Sequence, residues 1–581
     1  MILQRLVFPD IFTEETDLLY FRLNGNAKYD GRIVMENGST CVFNTYFGSF
    51  SFSKWKKYTD IKSVYLSLDV TGKFLLTAIE VEDDGDEKTI FSEEINGSIN
   101  KLIDGNGIVY IELKCLSDEG VVWGGRYETE CNSKDVSIGM VICTYKREKF
   151  VERNLKVIKE KITENSNSPL YGKFSVIVCD NGHTLNETND GAVKIIHNKN
   201  AGGAGGFTRG IMEFLRTKDK TGVTHVLLAD DDVSFETESI ERTYSLLKVL
   251  KNEYTEAFIG SSMFRLDDKK IQNESANRWA KHNVVALKRY RDMTDWSNVV
   301  DNEREEEINY FSWWFCCIPM LIINGANLPL PLFIKRDDIE YGLRNGKTFI
   351  TLNGINVWHE PFENKRPAFL EYYYIRNQCI MESVLGSDFN GKKLKKKLFK
   401  QLKTDIFTFR YTESELRFKG VEDFLKGIDF IKTTDPEKLN TEIISLGRKS
   451  VPLSEMDVKI DYKKYEQNKK PKESKLRKLL RKLTLNGWIF PSFGKKTYLP
   501  SAFPKPSACF AKKYAINYDE STKSVFITEK SIRKAIFCLS KYCKICKSID
   551  KNFDTIKNEY YRRKGEITGE EFWEKYLEMS R

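Results

Sequence analysis

No stretch of this 581-residue chain holds the roughly 18 or more consecutive apolar residues that a membrane-spanning helix needs, so no such helix is expected. The opening Met1-Ile-Leu-Gln-Arg-Leu-Val-Phe-Pro9 is too short an apolar run for a secretory signal and meets proline and acids at once. A cytosolic protein is expected, at most peripheral on the inner face of the cell membrane. The twelve cysteines form no secreted framework. Cys143, Cys179, Cys316 and Cys317 fall inside apolar segments, where thiols act as small hydrophobes in a reducing compartment. Cys543-Lys-Ile-Cys546 has metal or redox spacing, but no second pair follows, and Cys509 and Cys538 complete no zinc set. Histidine is also scarce, with five in the chain. Helix-turn-helix, RRM and zinc-finger patterns are missing too, which argues against a nucleic-acid-binding protein despite a net charge of +9.

The chain is long enough for several domains, and 41% hydrophobic content with 13% aromatic supplies packed cores. Up to about residue 133, β-branched and aromatic alternation is broken by Asn-Gly and Asp-Gly turns, as in Gly31-Arg-Ile-Val-Met35, Val64-Tyr-Leu-Ser-Leu-Asp69 and Gly107-Ile-Val-Tyr-Ile-Glu-Leu113. That pattern predicts an antiparallel β-sandwich over residues 1–133. Residues 134–385 read as an α/β unit. Residues 386–581 are lysine-rich with helical periodicity and predict a mainly helical, basic domain. There Leu476, Leu479, Leu480 and Leu483 share one helix face and the basic residues between Lys475 and Lys482 the other. Such a helix suits an anionic membrane surface; a core-facing helix with a solvated cationic side is the alternative.

The most informative cluster is Asp230-Asp-Asp232, at the end of the apolar run His225-Val-Leu-Leu-Ala229. Residues 137–145 and 174–180 read as two further buried strands ending in polar turns, and residues 193–196 as a third. Strands alternating with helices predict a mostly parallel, doubly wound sheet that binds ligand at the strand carboxyl ends, where the triplet lies. Carboxylates gathered there suit a hard cation, Mn²⁺ or Mg²⁺, able to neutralise a departing diphosphate; a solvated acidic cap is the other reading. Acidic strand ends would repel nucleic-acid phosphate unless a cation were bound. The segment Gly202-Gly-Ala-Gly-Gly206 lacks the dinucleotide spacing and follows a third strand, so close packing at a helix start is expected there, with Asn200 at the turn and a helix from Thr208; a phosphate-cradling loop is the alternative.

Cys143-Thr-Tyr-Lys-Arg147, Cys179-Asp-Asn-Gly182, Asn200-Ala-Gly-Gly-Ala-Gly-Gly-Phe-Thr-Arg209, Ala229-Asp-Asp-Asp232, Trp313-Trp-Phe315, Ile334-Lys-Arg-Asp-Asp-Ile-Glu-Tyr341 and Val357-Trp-His359 follow one another along the chain. In order and separation this series resembles the bacterial galactofuranosyltransferases of glycosyltransferase family 2. Upstream, Thr45-Tyr-Phe-Gly-Ser-Phe50 and Trp55-Lys-Lys-Tyr-Thr59 resemble that family's N-terminal β-domain, and the likeness weakens beyond about residue 380. The resemblance implies a GT-A fold and an inverting transfer of galactofuranose from UDP-galactofuranose to a glycan or lipid-linked glycan. It implies that Asp230, Asp232 and His359 hold the cation and that Asp338 is the catalytic base. Donor contacts fall to Arg147, Asp180, Asn200, Gly203, Arg209 and Asp231, and acceptor contacts to Glu274, Trp313, Trp314 and Asp337. Arg336 stands where the family pattern has an aromatic residue. A homo-oligomer is compatible with this family.

The residues themselves are less specific. Asp337 and Asp338 also suit a helix cap ahead of Ile339. His359 also suits a hydrogen-bonded structural role, and of the adjacent Trp313 and Trp314 one is expected in the core if the segment is a strand. Nothing local separates a furanose from a pyranose donor. Competing readings are a related transferase for rhamnose or another hexose and a non-catalytic carbohydrate-binding protein built on the sandwich.

Overall fold

The computed structural model describes residues 1–9, 16–82, 85–361, 367–492 and 494–579. The chain divides into two compact units, the first made of residues 1–199, 205–328 and 341–360, the second of residues 200–204, 329–340 and 361–581.

Within the first unit, the N-terminal residues form two six-stranded antiparallel sheets. Val64–Thr71, Glu119–Glu128 and Ile33–Glu36 are neighbours in one, and Lys73–Val81 and Ile108–Cys115 in the other. Lys73–Val81 shows the period-two alternation of a half-buried strand: Phe74, Leu76 and Ala78 are buried while Lys73 is exposed. The sheets face each other at close quarters. A methyl group at Gly120 would lie 2.5 Å from Phe74 of the opposite sheet, and the Phe50 and Tyr127 rings stack across the gap with centroids 4.6 Å apart.

The largest sheet of this unit has eight strands, and its parallel core runs Val193–His197, Phe174–Asp180, Ile138–Thr144, His225–Asp230. In chain order that is 3-2-1-4. Cys316–Pro319 then pairs antiparallel with His225–Asp230, so the sheet is mixed. Ile138, Met140, Val141 and Ile142 are all buried, as a strand covered on both faces requires. Strand order reverses between Ile138–Thr144 and His225–Asp230, and beyond the carboxyl ends of two such strands an α/β sheet opens a crevice. Thr144 and Asp230 stand at those ends.

The glycine segment is helix rather than loop: a single helix runs Gly202–Thr221, six residues earlier than expected. Asn200 starts it, its Oδ1 accepting from the Gly202 N–H at 3.1 Å. Close packing explains the glycines, since a methyl group at Gly206 would lie 2.2 Å from the Cys143 sulfur and one at Gly210 2.3 Å from Val141.

In the second unit the helices Leu370–Val384, Gly391–Thr408, Tyr411–Phe424 and Ile532–Arg563 share one core, to which Cys379, Leu398, Phe418, Phe424, Ile549 and Phe553 contribute. The expected boundary near residue 385 therefore falls inside this unit. A four-stranded sheet that helical periodicity does not announce lies here too, with Lys512–Asp519 pairing parallel to Gly494–Pro500 and antiparallel to Ser524–Glu529. The helix Lys475–Leu483 buries none of its residues. Leu476, Leu479, Leu480 and Leu483 are 68%, 52%, 45% and 68% exposed, which rules out the core-facing alternative. Among the described residues no helix is long and apolar enough to cross a membrane.

Candidate functional site

The acidic triplet leaves the sheet where the buried strand His225–Asp230 ends. A two-way backbone bridge fixes its course: Ser234 N–H donates to the Trp358 carbonyl at 2.9 Å and Trp358 N–H to the Ser234 carbonyl at 2.7 Å. Trp358 belongs to the short strand Asn356–His359, so the same bridge delivers His359 to the triplet. His359 Nε2 lies 3.2 Å from Asp232 Oδ1 and 4.0 Å from Asp230 Oδ2. Ligand atoms of Asp230, Asp232 and His359 all fall within 4.8 Å of one another. Two carboxylate oxygens and an imidazole nitrogen suit a divalent cation of the Mn²⁺ type. The three residues implied from the sequence are thus brought together.

Asp231 faces the other way. Its carboxylate is buried, accepting from Thr144 Oγ1 at 2.7 Å and from Arg147 Nη1 at 2.9 Å. Burial raises its pKa, against the opposing pull of Arg147 and the Thr144 hydroxyl. Arg147 heads the helix Glu148–Ile158 and also donates to Asp232 at 2.7 Å. Burial works against the Arg147 charge, but Asp232 and Asp231 outweigh it and hold the guanidinium pKa above its usual value. Two partners here were not anticipated. Thr144 lies inside the Cys143–Arg147 motif, where the resemblance gives it no role, and Asn154, buried on the Glu148–Ile158 helix, donates to the carbonyls of Asp231 and Val233, both at 3.1 Å. An amide on the inward face of an amphipathic helix is the signal that would have found it.

The remaining residues of this unit are placed as follows. Asp180 is fully buried, and its oxygens accept from the backbone N–H groups of Gly182, Thr184 and Leu185 at 2.8, 2.7 and 2.8 Å, tying the turn after its strand. Arg209 donates to Glu213 one helical turn on, at 3.1 Å. Glu274 is buried on the strand Ile271–Ser275. Trp313 and Trp314 lie in the turn before Cys316–Pro319 rather than on a strand, so the alternation argument does not apply; both are buried, 5% and 3% exposed. Trp313 meets Phe207 edge-on, ring centroids 5.4 Å apart.

In the second unit, Gly203 lies in the first turn of Gly202–Thr221, while Asp337 and Asp338 open the helix Asp337–Asn345. Both carboxylates therefore sit in a helical first turn, where the backbone N–H groups favour negative charge. Asp338 Oδ1 accepts from the Ile339 N–H at 2.8 Å. Asp337 is buried, and that burial, reinforced by the charge of Asp338, holds its pKa well above the usual carboxylate range. The Arg336 guanidinium lies over the Tyr374 ring, 5.6 Å from its centre.

Comparison with known proteins gives the context. The model of the Galactofuranosyltransferase 2 N-terminal family matches residues 3–138. Galactofuranosyltransferase GlfT2 of Mycobacterium tuberculosis is 26% identical over 441 residues, covering 68% of this chain and 66% of that protein. Its counterpart from Mycolicibacterium smegmatis is 25% identical over 436 residues, covering 67% and 64%. The chain thus spans a little under two thirds of the length of each of these relatives. Among solved structures, a mannosyltransferase from Pyrobaculum calidifontis in complex with GDP-Man and Mn²⁺ aligns with 11% identity over 54% of this chain and 85% of its own, at a TM-score of 0.28, a likeness too slight to bear on fold or function. By sequence, the chain is a relative of the bacterial galactofuranosyltransferases.

Proposed function

We propose that the protein is an inverting, metal-dependent glycosyltransferase that moves galactofuranose from UDP-galactofuranose to a hydroxyl of a growing cell-surface glycan. The observation that carries this reading is the gathering of Asp230, Asp232 and His359 at the carboxyl edge of a parallel sheet, in a chain related to galactofuranosyltransferases. Its α/β half is read as a GT-A domain.

Asp230, Asp232 and His359 would hold Mn²⁺ or Mg²⁺, which when bound neutralises charge on the diphosphate leaving group. Arg147, its side chain 41% exposed, exchanges one carboxylate partner for a donor phosphate while Asp231 keeps hold of it. Asp180 acts on the donor through the turn it ties, and Asn200 and Gly203 through the start of their helix; Arg209 is aimed by Glu213. Asp338 takes the proton of the acceptor hydroxyl as its oxygen bonds to the anomeric carbon and the bond to UDP breaks. Asp337 and Glu274 meet the acceptor. Trp313 and Trp314 form its wall from within rather than an open stacking face. The exposed leucines of Lys475–Leu483, rimmed by Lys475, Arg477, Lys478, Arg481 and Lys482, rest on an anionic membrane that carries a lipid-linked acceptor.

The deciding experiment is a donor screen of the purified protein, with release of nucleoside diphosphate as the readout. UDP-galactofuranose should be turned over fastest. Preference for a rhamnosyl or hexopyranosyl donor would move the protein to a neighbouring transferase specificity, and unchanged rates in excess chelator would remove the metal.

A further inference from the structure

Three residues leading into Asp337 hold backbone angles that side-chain-bearing residues rarely adopt. Phe333, Lys335 and Arg336 lie at φ of 70°, 70° and 78°. None is glycine, asparagine or aspartate, so each angle is costly and persists only where the surroundings impose it. A helix beginning at Asp337 needs no such entry, because an extended residue before the first turn serves at far less strain.

The imposition comes from Asn377, fully buried on the helix Leu370–Val384. Its Nδ2 donates to the carbonyls of Leu332, Ile334 and Lys335 at 3.0, 2.8 and 2.9 Å, three acceptors around one amide nitrogen. Arg376 Nε donates to the Asn377 Oδ1 at 2.9 Å, which fixes the side of the amide that meets the loop, and Arg376 Nη2 adds a bond to the Leu332 carbonyl at 3.0 Å. The intervening carbonyl, that of Phe333, accepts from the Ala204 N–H at 3.2 Å. Gly202 makes room for that approach: at φ 71° it has no side chain, and a methyl group there would lie 2.1 Å from the Phe333 oxygen. The four successive carbonyls of residues 332–335 are thus held, and only Arg336 stands between them and the aspartate pair.

We propose that Asn377 is a positioning residue for transfer, locking residues 332–336 so that the Asp338 carboxylate keeps a single aim, with Gly202 as the support on the other side. This rests on the reading of Asp338 as the base. No contact of Asn377 with donor or acceptor is required.

The test uses the full chain with UDP-galactofuranose and a soluble acceptor. Asn377→Ala should lower kcat by about 10²-fold, the order of loss that a misplaced reacting group brings, with the donor KM changed little. Asn377→Asp, which sets a carboxylate oxygen against three carbonyls, should be at least as slow. In the double variant Asn377→Ala with Asp338→Asn, the rate should be no lower than for Asp338→Asn alone, because a lost base cannot be misaimed. If the Asn377 variants do not fold, Gly202→Ala, pressing the loop from the other side, should give the same kcat loss and the same non-additivity. Wild-type kcat in Asn377→Ala, or losses that multiply in the double variant, would overturn the inference. A silent Asp338→Asn would instead overturn the base reading beneath it, and that single variant shows which has failed.

Discussion

Two acidic clusters in this protein use the same residue type and treat it differently. Around Asp230, Asp231 and Asp232, burial is answered by cationic side chains and donors: Arg147 bonds two of the carboxylates, Thr144 a third oxygen, and His359 stands 3.2 Å from Asp232. Around Asp337 the neighbouring charge is another carboxylate and adds to the effect of burial instead of opposing it. Burial raises the pKa of Asp231 and Asp337 alike, but at Asp231 the Arg147 charge and the Thr144 hydroxyl pull against it, whereas at Asp337 the neighbouring carboxylate adds to it. The same residue type thus meets neighbouring charge of opposite sign in the two clusters.

The sharpest way to break that comparison is to remove a carboxylate from each cluster. Asp232→Ala deletes one of three candidate ligands and should reduce transfer by about 10³-fold or more, the several kcal/mol that a catalytic cation supplies. Its melting temperature should stay near that of the wild type, since the side chain lies at a strand exit rather than in the core. Retained transfer that remains chelator-sensitive would move the cation elsewhere. Asp338→Asn should slow sugar transfer by about 10²–10⁴-fold while donor binding persists. If Asp337→Asn proves the slower variant and Asp338→Asn is nearly silent, the two roles are reversed.

A smaller effect tests the protonation argument directly. The folded-state pKa of Asp337 lies above the unfolded value of about 4, so the folded protein binds that proton more tightly and the stability it brings is lost as pH rises toward neutrality. Asparagine cannot ionise. The melting temperature of Asp337→Asn relative to wild type should therefore climb from pH 4 to pH 8, and a difference that is flat with pH would remove the raised pKa. The smallest change is expected from replacing Lys475, Arg477, Lys478 and Arg481 with glutamine. Each cation near an anionic leaflet contributes about 1 kcal/mol before screening, so vesicle binding should weaken and transfer to a lipid-linked acceptor should fall more than transfer to a short soluble one. Unchanged vesicle binding would remove this helix as a membrane contact.

Much of the first unit was legible because its signals are local. The period-two alternation of residues 64–69 and the unbroken apolar run ending at Ala229 predict strands that the structure extends to Val64–Thr71 and His225–Asp230. The triplet's place at a strand exit follows from the same pattern. The helix start at Gly202 was missed because five residues dominated by glycine have low helix propensity, and it is packing that rewards them, of Gly206 against Cys143 and of Gly202 against Phe333. The C-terminal sheet was missed because its strands are short and two of them carry a lysine pair near their start, within a lysine-rich region that reads as helical.

The sequence by itself determined the four parallel strands of the α/β region, the acidic residues at a strand end and a helix with leucines on one side and cations on the other, since each depends on residues a few positions apart. Only the tertiary structure decided that His359, more than a hundred positions from the triplet, reaches Asp232, because that meeting depends on the backbone bridge between Ser234 and Trp358. It also decided that the leucines of Lys475–Leu483 stay exposed, and that Asn377 holds the loop before Asp337. Burial and long-range hydrogen bonds are properties of the assembled chain, and no local pattern encodes them.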